Sequence, residues 1–501
     1  MKEQDTNSPI IHLQRQQLLL RMEYEYEKEE FKRQTENMGV ARKVKRGVCW
    51  YPASPGRSYY NSLNQLVIEI THTENLDIEH NFEFGRPVCF FRQSADGKIT
   101  YFNFTATVSY ADEARMVVIM PGARAIMDIQ SADNLGVQLY FDETSYRTMF
   151  EALEDVLRAK GNRLAELRDI LLGTVKTGFR ELYPVRFPWL NSTQESAVNK
   201  VLCARDVAIV HGPPGTGKTS CALKKMVETF HADKDAQILL LSYTNRAVDE
   251  ICKSLASIAP AVDFIRVGSE LSCDEAYRGH LIENELSSCN RRSEVYERIR
   301  NCRIIVGTVA AISGKPELFR LKHFDVAIID EATQILEPQL LGILCARGED
   351  EKDAIDKFVL IGDHKQLPAV VQQNAEQAAI YDESLLSIGL SNLKDSLFER
   401  LYRNCTAACS SSAIHRSYDM LCRQGRMHPE VALFANRAFY GGRLIPVGLP
   451  HQIEDSDTIC RLAFYPSVPE KAGASAKINY SEARIVADLA VRIYEHHQLD
   501  F

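Results

Sequence analysis

The chain has 501 residues, which is too many for one compact core, so we expect two to four domains. Hydrophobic residues make up 45% of the chain and charged residues 25%, a balance that excludes wholesale disorder. The net charge of −8 means that the molecule as a whole does not attract polyanions, so any site for a polyanion must be local.

No apolar run approaches the length of a membrane span, and the N-terminus lacks the apolar segment of a secretory signal. We therefore expect no membrane partner and an intracellular protein, cytoplasmic or, in a eukaryote, nuclear. Thirteen cysteines are scattered without a C-x-x-C pair, which indicates reduced thiols. Cys405, Cys409, His415 and Cys422 could supply four zinc ligands, but their spacing matches no compact zinc pattern, so a metal and a plain loop both stay open.

The first 184 residues are predicted to form a small β-barrel flanked by two helices. Residues 1–38 are rich in helix formers and give the first stalk helix, and residues 144–184 carry an apolar stripe at helical spacing and give the second. Between them, residues 39–143 hold six short β-branched and aromatic runs separated by Gly, Pro, Asn and Asp, which predicts the barrel. The sequence leaves open whether this barrel binds nucleic acid or acts as a spacer.

A phosphate-binding loop lies between a short apolar strand pattern at 206–210 and an amphipathic helix pattern at 220–230. The loop consists of Gly212, Pro213, Pro214, Gly215, Thr216, Gly217, Lys218, Thr219 and Ser220. Its glycines let backbone N–H groups converge on phosphate oxygens, Lys218 reaches the β- and γ-phosphates, and the Thr219 hydroxyl ligates Mg²⁺. We therefore predict ATP and Mg²⁺ as cofactors.

Apolar strand patterns alternate with helix patterns from this loop to about residue 363. That alternation predicts an α/β fold with a parallel sheet, a RecA-like P-loop nucleoside-triphosphatase lobe over residues 185–405. A partial second RecA-like lobe is predicted for residues 406–501.

Carboxylates and amides follow the apolar runs of this lobe. Asp330 and Glu331 end one strand pattern, where Asp330 would hold Mg²⁺ and Glu331 would polarise the attacking water. Gln366 follows the next strand pattern, where its amide could contact the γ-phosphate and the water. Upstream, the amide of Gln194 could pair with an adenine edge, although this segment also fits a plain capped helix start.

Six motifs occur in an order that is typical of one group of helicases. They are Gln194 before the loop, Ser242 to Asp249, Val306 to Thr308, Asp330 to Gln334, Gly362 to Pro368 and Gln424 to Pro429. This set resembles superfamily-one helicases of the up-frameshift and immunoglobulin-mu-binding-protein type, which also carry a stalk-flanked β-barrel before the first lobe. The resemblance implies ATP-driven translocation along single-stranded DNA or RNA, typically from 5′ to 3′.

By the same resemblance, Thr244, Asn245 and Thr308 would touch the nucleic-acid backbone, and Arg426 would reach the γ-phosphate from the second lobe. The chain departs from the group at Gly425, where an aromatic residue commonly stacks on a base. We therefore expect weak base selectivity, unless Phe187 or Trp189 supplies a stacking face.

The later motifs of the second lobe, including a second arginine, do not occur before Phe501, so we expect a fragment that binds ATP but hydrolyses it slowly. Two rival functions stay open: a nucleic-acid-stimulated ATPase that remodels protein–nucleic-acid complexes without unwinding, and a catalytically idle nucleic-acid clamp. The sequence does not separate DNA from RNA, because backbone contacts dominate in such motors.

Overall fold

The computed structural model describes residues 9–35, 38–61, 65–73, 78, 80–83, 85–94, 96–289, 291–350, 352–406, 417–453, 462–468 and 479–497. Contacts divide the chain into a first unit, Met1–Cys422, and a second unit, Arg423–Phe501. In these described stretches no helix is both long and apolar enough to cross a membrane.

The N-terminal part of the first unit contains five helices and seven strands among its described residues. In chain order they are α1 (Pro9–Thr35), α2 (Val40–Lys45), β1 (Cys49–Trp50), β2 (Ser54–Tyr60), β3 (Leu66–Thr71), β4 (Pro87–Gln93), β5 (Ile99–Ala111), β6 (Arg115–Ile119), α3 (Ala123–Gln130), β7 (Leu135–Leu139), α4 (Thr144–Arg158) and α5 (Arg163–Leu171).

The seven strands form one antiparallel sheet in the order β1-β7-β4-β5-β6-β3-β2, which we call the β-domain together with α2 and α3. Its core buries β-branched and aromatic side chains, among them Trp50, whose ring stacks on His72 with centroids 4.0 Å apart. Among the described residues the sheet has β1 and β2 as its two edge strands, and no pairing joins β1 to β2. Closure into a barrel therefore stays a prediction.

Strand β2 lies at one edge of the β-domain and has no counterpart among the six predicted runs. It carries Pro55 near its start, its pairing with β3 is irregular between Pro55 and Ser58, and most of its side chains are exposed. Arg57 donates to the Glu69 carboxylate on β3 at 3.0 Å and lies over the Tyr59 ring. This strand escaped the sequence analysis because it buries little and has no aliphatic residue.

The second stalk helix predicted over residues 144–184 is two helices in the structure, α4 and α5. The chain turns between them at Gly161, whose φ of +63° lies in the left-handed region that favours glycine. The Asn162 side chain then accepts the Ala165 N–H and caps the start of α5. The apolar stripe continues across the break, so periodicity alone could not reveal it.

The rest of the first unit is an α/β lobe. Its strands are β8 (Val207–His211), β9 (Ile238–Ser242), β10 (Phe264–Val267), β11 (Ile304–Thr308), β12 (Val326–Ile329), β13 (Phe358–Gly362) and β14 (Tyr418–Met420). Its α-helices are α6 (Ser192–Cys203), α7 (Lys224–His231), α8 (Asn245–Ala256), α9 (Ile282–Leu286), α10 (Arg292–Asn301), α11 (Val309–Ser313), α12 (Pro316–Leu321), α13 (Glu337–Leu344), α14 (Glu383–Ser387) and α15 (Leu397–Thr406). A π-helical turn, Lys218–Leu223, precedes α7, and short 3₁₀ turns lie at Glu270–Ser272, Glu275–His280 and Ala332–Gln334.

These strands form a parallel sheet in the order β10-β11-β9-β12-β13-β8-β14, which confirms the predicted RecA-like α/β lobe. Helices α6, α7 and α8 cover one face, and α1, α4, α5, α13 and α15 contribute to the core on the other face. Because both faces are covered, strands β8 to β13 are buried along their whole length. The short edge strand β14 extends this sheet beyond the boundary predicted at residue 405.

The second unit contains a parallel strand pair and three helices in its described part. They are β15 (Arg423–Gln424), β16 (Ile445–Pro446), α16 (Pro429–Tyr440), α17 (Pro450–Ile453) and α18 (Tyr480–His497). Of the four possible zinc ligands, Cys409 and His415 lie outside the described residues, whereas Cys405 is buried and Cys422 is half-buried.

A buried ion pair ties the stalk helices to the lobe. Arg400 on α15 donates twice to the Glu337 carboxylate at the start of α13, at 2.8 Å each, and once to the Leu171 carbonyl at the end of α5, also at 2.8 Å. Both side chains are buried. The Arg400 guanidinium thus joins α15 to α13 and α5, three of the helices that cover this face of the sheet. Helix α13 also packs along α4.

We expect Glu337→Ala to lower the free energy of unfolding of the first unit by about 3–5 kcal/mol, because it leaves the Arg400 charge buried without its carboxylate. Glu154→Ala is the matched control: it removes an exposed pair with Arg158 on α4 and should cost no more than about 0.5 kcal/mol. Urea unfolding of both variants measures the difference. Equal losses would contradict the structural role of the buried pair.

Candidate nucleotide-binding site

The site is built at the edge of the sheet where the parallel strands end. The pairing of β8 with β13 sets His211 opposite Gly362, and the pairing of β13 with β12 brings Ile329 alongside Leu360. The residues that follow these strands are therefore neighbours in space, although they are far apart in sequence. This edge is where ligands bind in open α/β sheets.

The phosphate-binding loop follows β8 and depends on glycine at several positions. Gly215 and Gly217 both have a φ of +74°, which ordinary side chains disfavour. At Gly212 an added Cβ would lie 2.1 Å from Cγ of Lys218, so only glycine leaves room for the lysine stem. The loop thus presents a bare backbone and one lysine, which is the arrangement that a polyphosphate requires.

Thr219 and Asp330 bring two oxygen ligands together. The Thr219 hydroxyl donates to Oδ2 of Asp330 at 2.5 Å, and Asp330 is 2% exposed. Burial raises the pKa of Asp330 above its usual value, and the charge of Lys218 opposes that shift. Hydroxyl and carboxylate oxygens are hard ligands of the kind that Mg²⁺ prefers, so these residues fit the predicted ion.

Glu331 stands beside Lys218 on a strained backbone. Its φ of +53° lies in the left-handed region, which is uncommon for a residue with a side chain and costs about 1–3 kcal/mol. The Glu331 N–H donates to Oδ1 of Asp330 at 2.9 Å, and its Oε1 lies 3.2 Å from Nζ of Lys218. The strained turn therefore directs the second carboxylate towards the loop lysine.

Gln194 holds the loop from the side. Its Nε2 donates to the Thr216 carbonyl at 2.9 Å, and its Oε1 accepts the Asn191 N–H at 3.2 Å as part of a capping box at the start of α6. The capped helix start is thus present. Because both ends of the amide have protein partners, the contact with adenine stays a prediction.

Gln366 is joined to the strand before the loop through a carboxylate. Its Nε2 donates to Oδ2 of Asp363 at 2.9 Å, and the other oxygen, Oδ1, accepts from Nε2 of His211 at 3.1 Å. His211 and Asp363 are fully buried. The sequence analysis singled out neither residue as functional, although a polar residue that ends a fully apolar strand beside a phosphate loop is a usable signal.

One cluster of possible metal ligands lies beside the loop and consists of His211, Asp363 and His364, whose ligand atoms all lie within 4.8 Å of one another. The hydrogen bond from His211 to Asp363 accounts for the approach of those two side chains. The His364 ring instead stacks on Tyr402, with centroids 3.9 Å apart. These contacts explain the cluster without an ion.

The residues predicted to touch nucleic acid lie at the same edge: Thr244 and Asn245 follow β9, and Thr308 is the last residue of β11. Thr244 accepts the Ala247 N–H at 3.2 Å and caps α8, and Thr308 accepts the Ala311 N–H at 3.1 Å and caps α11. Both hydroxyls act here as acceptors, which leaves their protons for another partner. Asn245 is the first residue of α8 and is half-buried.

Arg426 belongs to the second unit. Its N–H donates to Oε1 of Gln424 at 3.1 Å, and Gln424 also holds both the N–H and the carbonyl of Met427. This small network fixes the backbone around the predicted arginine. The γ-phosphate contact inferred for Arg426 stays a prediction.

Comparison with known proteins gives matches over this lobe. The profile of a family described as AAA domain matches residues 189–294 and 282–374. The chain is 32% identical over 259 residues to the DNA replication ATP-dependent helicase/nuclease DNA2 of Gallus gallus, covering 51% of this chain and 22% of that protein. It is 34% identical over 259 residues to the DNA replication ATP-dependent helicase/nuclease JHS1 of Arabidopsis thaliana, covering 51% and 16%.

A third relative is matched over a longer stretch. The chain is 23% identical over 368 residues to the DNA polymerase alpha-associated DNA helicase A of Saccharomyces cerevisiae, covering 62% of this chain and 50% of that protein. The chain thus spans about a fifth of the length of the Gallus gallus relative and half of the yeast relative. These matches show that the lobe is similar in sequence to parts of proteins named as DNA helicases.

His364 gives the site a pH-dependent stability. Burial, with the neighbouring His211, lowers the pKa of His364 to about 4, whereas an unfolded histidine titrates near 6.5. Between these values the unfolded chain binds the extra proton, so the stability that depends on His364 is present above about pH 6.5 and is lost as the pH falls towards 4. Urea unfolding from pH 7 to 4 should therefore show a smaller loss for His364→Phe than for the wild type. Parallel curves would contradict the lowered pKa.

Proposed function

We propose that this protein is an ATP-dependent superfamily-one helicase, which couples ATP hydrolysis to movement along single-stranded DNA. The observation that carries the proposal is the convergence of a loop lysine and two carboxylates: Lys218 is 3.2 Å from Glu331, and Thr219 is 2.5 Å from Asp330. The relatives support the ATPase part through their matched core and favour DNA over RNA through their names. Movement from 5′ to 3′ and the up-frameshift type rest on the motif resemblance.

Each side chain of the site has a distinct task in this proposal. The loop backbone and Lys218 bind the β- and γ-phosphates, and Thr219 with Asp330 would hold Mg²⁺, which neutralises phosphate charge when it is bound. Glu331 accepts a proton from the water that attacks the γ-phosphorus. The bond from that phosphorus to the bridging oxygen breaks, and ADP and inorganic phosphate leave.

The nucleic-acid strand is proposed to bind at the ends of β9 and β11. Thr244 follows the end of β9 and Thr308 ends β11, and these two strands are neighbours, since Ser242 pairs with Thr308 in the sheet. Their hydroxyl protons can be donated to phosphate oxygens one after the other. Such work on nucleic acid would take place inside the cell, in the cytoplasm or the nucleus.

A strand-displacement assay on a partial DNA duplex, run beside an assay of phosphate release, tests the proposed function. We expect slow ATP-dependent displacement from duplexes with a 5′ single-stranded overhang and none from those with a 3′ overhang. Phosphate release stimulated by single-stranded DNA without displacement would instead identify a remodelling ATPase. Binding without any phosphate release would identify a nucleic-acid clamp.

Two substitutions should separate phosphate binding from proton transfer. Lys218→Ala should abolish both ATP binding and turnover, because the phosphates lose the lysine charge of the loop. Glu331→Gln should keep ATP binding but slow turnover by at least about a hundredfold, because an amide cannot accept the proton. Binding of a fluorescent ATP analogue and phosphate release measure the two effects.

Lys234→Ala and Glu250→Gln are the matched controls, since both residues are exposed outside the site. Both should behave as the wild type. Loss of ATP affinity in Glu331→Gln would show that Glu331 binds nucleotide rather than acting as the base.

Replacing the two capping threonines should test the strand path. We expect Thr244→Val with Thr308→Val to weaken binding of single-stranded DNA while ATP affinity is unchanged, whereas Thr244→Ser with Thr308→Ser should retain it, because serine keeps both the cap and the donor. Fluorescence anisotropy at several salt concentrations measures the affinities. A decline with salt is expected, because the strand's phosphates carry counterions. Equal affinities for the valine and serine variants would place the strand elsewhere.

A further inference from the structure

We propose that His211 is a positioning residue for ATP hydrolysis, which acts through the Asp363 carboxylate to fix the orientation of the Gln366 amide. The proposal rests on the ATPase function proposed above. It adds a residue from the strand before the loop to the residues that follow β13. The three side chains are linked in a row by two hydrogen bonds, at 3.1 Å and 2.9 Å.

The carboxylate decides which way round the amide lies. Oδ2 of Asp363 accepts an N–H of Gln366, so a rotation of the amide by half a turn would bring two oxygens together in place of a donor and an acceptor. With its N–H group held, the amide presents its carbonyl oxygen as the acceptor for a water. An acceptor of fixed direction near the γ-phosphate orients the attacking water.

The imidazole in turn decides where the carboxylate lies. Asp363 is fully buried, and a buried carboxylate needs donors on its oxygens. Oδ1 receives one bond from Nε2 of His211 and one from the Lys365 N–H, at 3.1 Å each. Without the imidazole donor the Asp363 carboxylate is held less firmly, and the Gln366 amide bonded to it is then no longer held in one orientation.

Aromatic rings hold the imidazole in place. The His211 ring meets the Tyr402 ring edge to face at 5.2 Å and the His364 ring at 4.9 Å. The Tyr418 hydroxyl lies 3.5 Å from Nδ1 of His211. Because these contacts leave the ring little freedom, a displacement of β8 at the loop is transmitted to the carboxylate instead of being absorbed.

A purely structural histidine–aspartate pair would end within the core. This pair continues to Gln366, which is half-buried and stands outside the apolar core. Gln366 has a predicted role at the γ-phosphate. Because the hydrogen bonds of His211 and Asp363 lead to this side chain, we interpret the pair as positioning Gln366 and not only as stabilising the core.

The test compares His211→Met with His211→Gln in the full chain, with DNA-stimulated phosphate release as the readout. Methionine has the length but no donor, whereas the glutamine amide nitrogen can take the place of Nε2. We expect His211→Met to lower kcat by roughly ten- to a hundredfold, the range that loss of an outer hydrogen-bond partner causes at metal sites, while KM for ATP changes by less than about threefold. His211→Gln should recover most of kcat.

A double substitution shows whether the two residues act together. Gln366→Met alone should lower kcat. His211→Met combined with Gln366→Met should be no slower than Gln366→Met alone, because the amide that His211 orients is already absent. If the circular-dichroism spectrum shows that His211→Met is misfolded, Asp363→Asn replaces it in the same comparison, whereas a folded His211→Met variant that does not bind the fluorescent ATP analogue would contradict the proposal.

The outcomes separate the two proposals. A wild-type chain that hydrolyses ATP and a His211→Met variant with unchanged kcat would overturn the role of His211 alone. The same holds if the losses from His211→Met and Gln366→Met multiply, or if His211→Gln is as slow as His211→Met. A wild-type chain without hydrolysis would overturn the proposed function and this inference with it.

Discussion

The parallel register of β12, β13 and β8 is the constraint on which the site depends. A parallel sheet ends all of its strands at one edge, so whatever follows each strand is brought to the same place. Here this gives a loop after His211, two carboxylates after Ile329 and a polar turn after Gly362. A slip of one residue in any of the three strands would turn its buried side chains to the opposite face and separate these groups.

Charge balance within that edge is the second determinant. Asp330 is buried deeply enough for its pKa to rise, and Lys218, whose charge opposes the rise, is the residue that approaches Glu331 as well. The charge of Lys218 therefore acts on both carboxylates. Such a site favours the arrival of further positive charge beside Asp330, and negative charge beside Lys218 and the loop amides.

The sequence predicted the parts of the fold that are local. Buried strands such as β9 and β12 are unbroken apolar runs in the sequence, and the glycines and lysine of the loop form a recognisable motif. Short sequence patterns were therefore enough to predict the α/β lobe and its loop. The break at Gly161 and the three-residue strand β14 are too small to alter a pattern. The contact of His211 with Asp363 joins residues that are 152 positions apart, and no local pattern encodes it.

The edge strand β2 has a consequence for how the β-domain meets other molecules. Pro55 removes a backbone donor, the irregular pairing twists the strand, and Arg57 places a charge at its rim. A foreign strand cannot easily extend the sheet at this edge through main-chain hydrogen bonds, which also disfavours self-association through β2. Recognition here must instead use side chains, and the exposed rings of Tyr59 and Tyr60 are the surface that β2 offers for it.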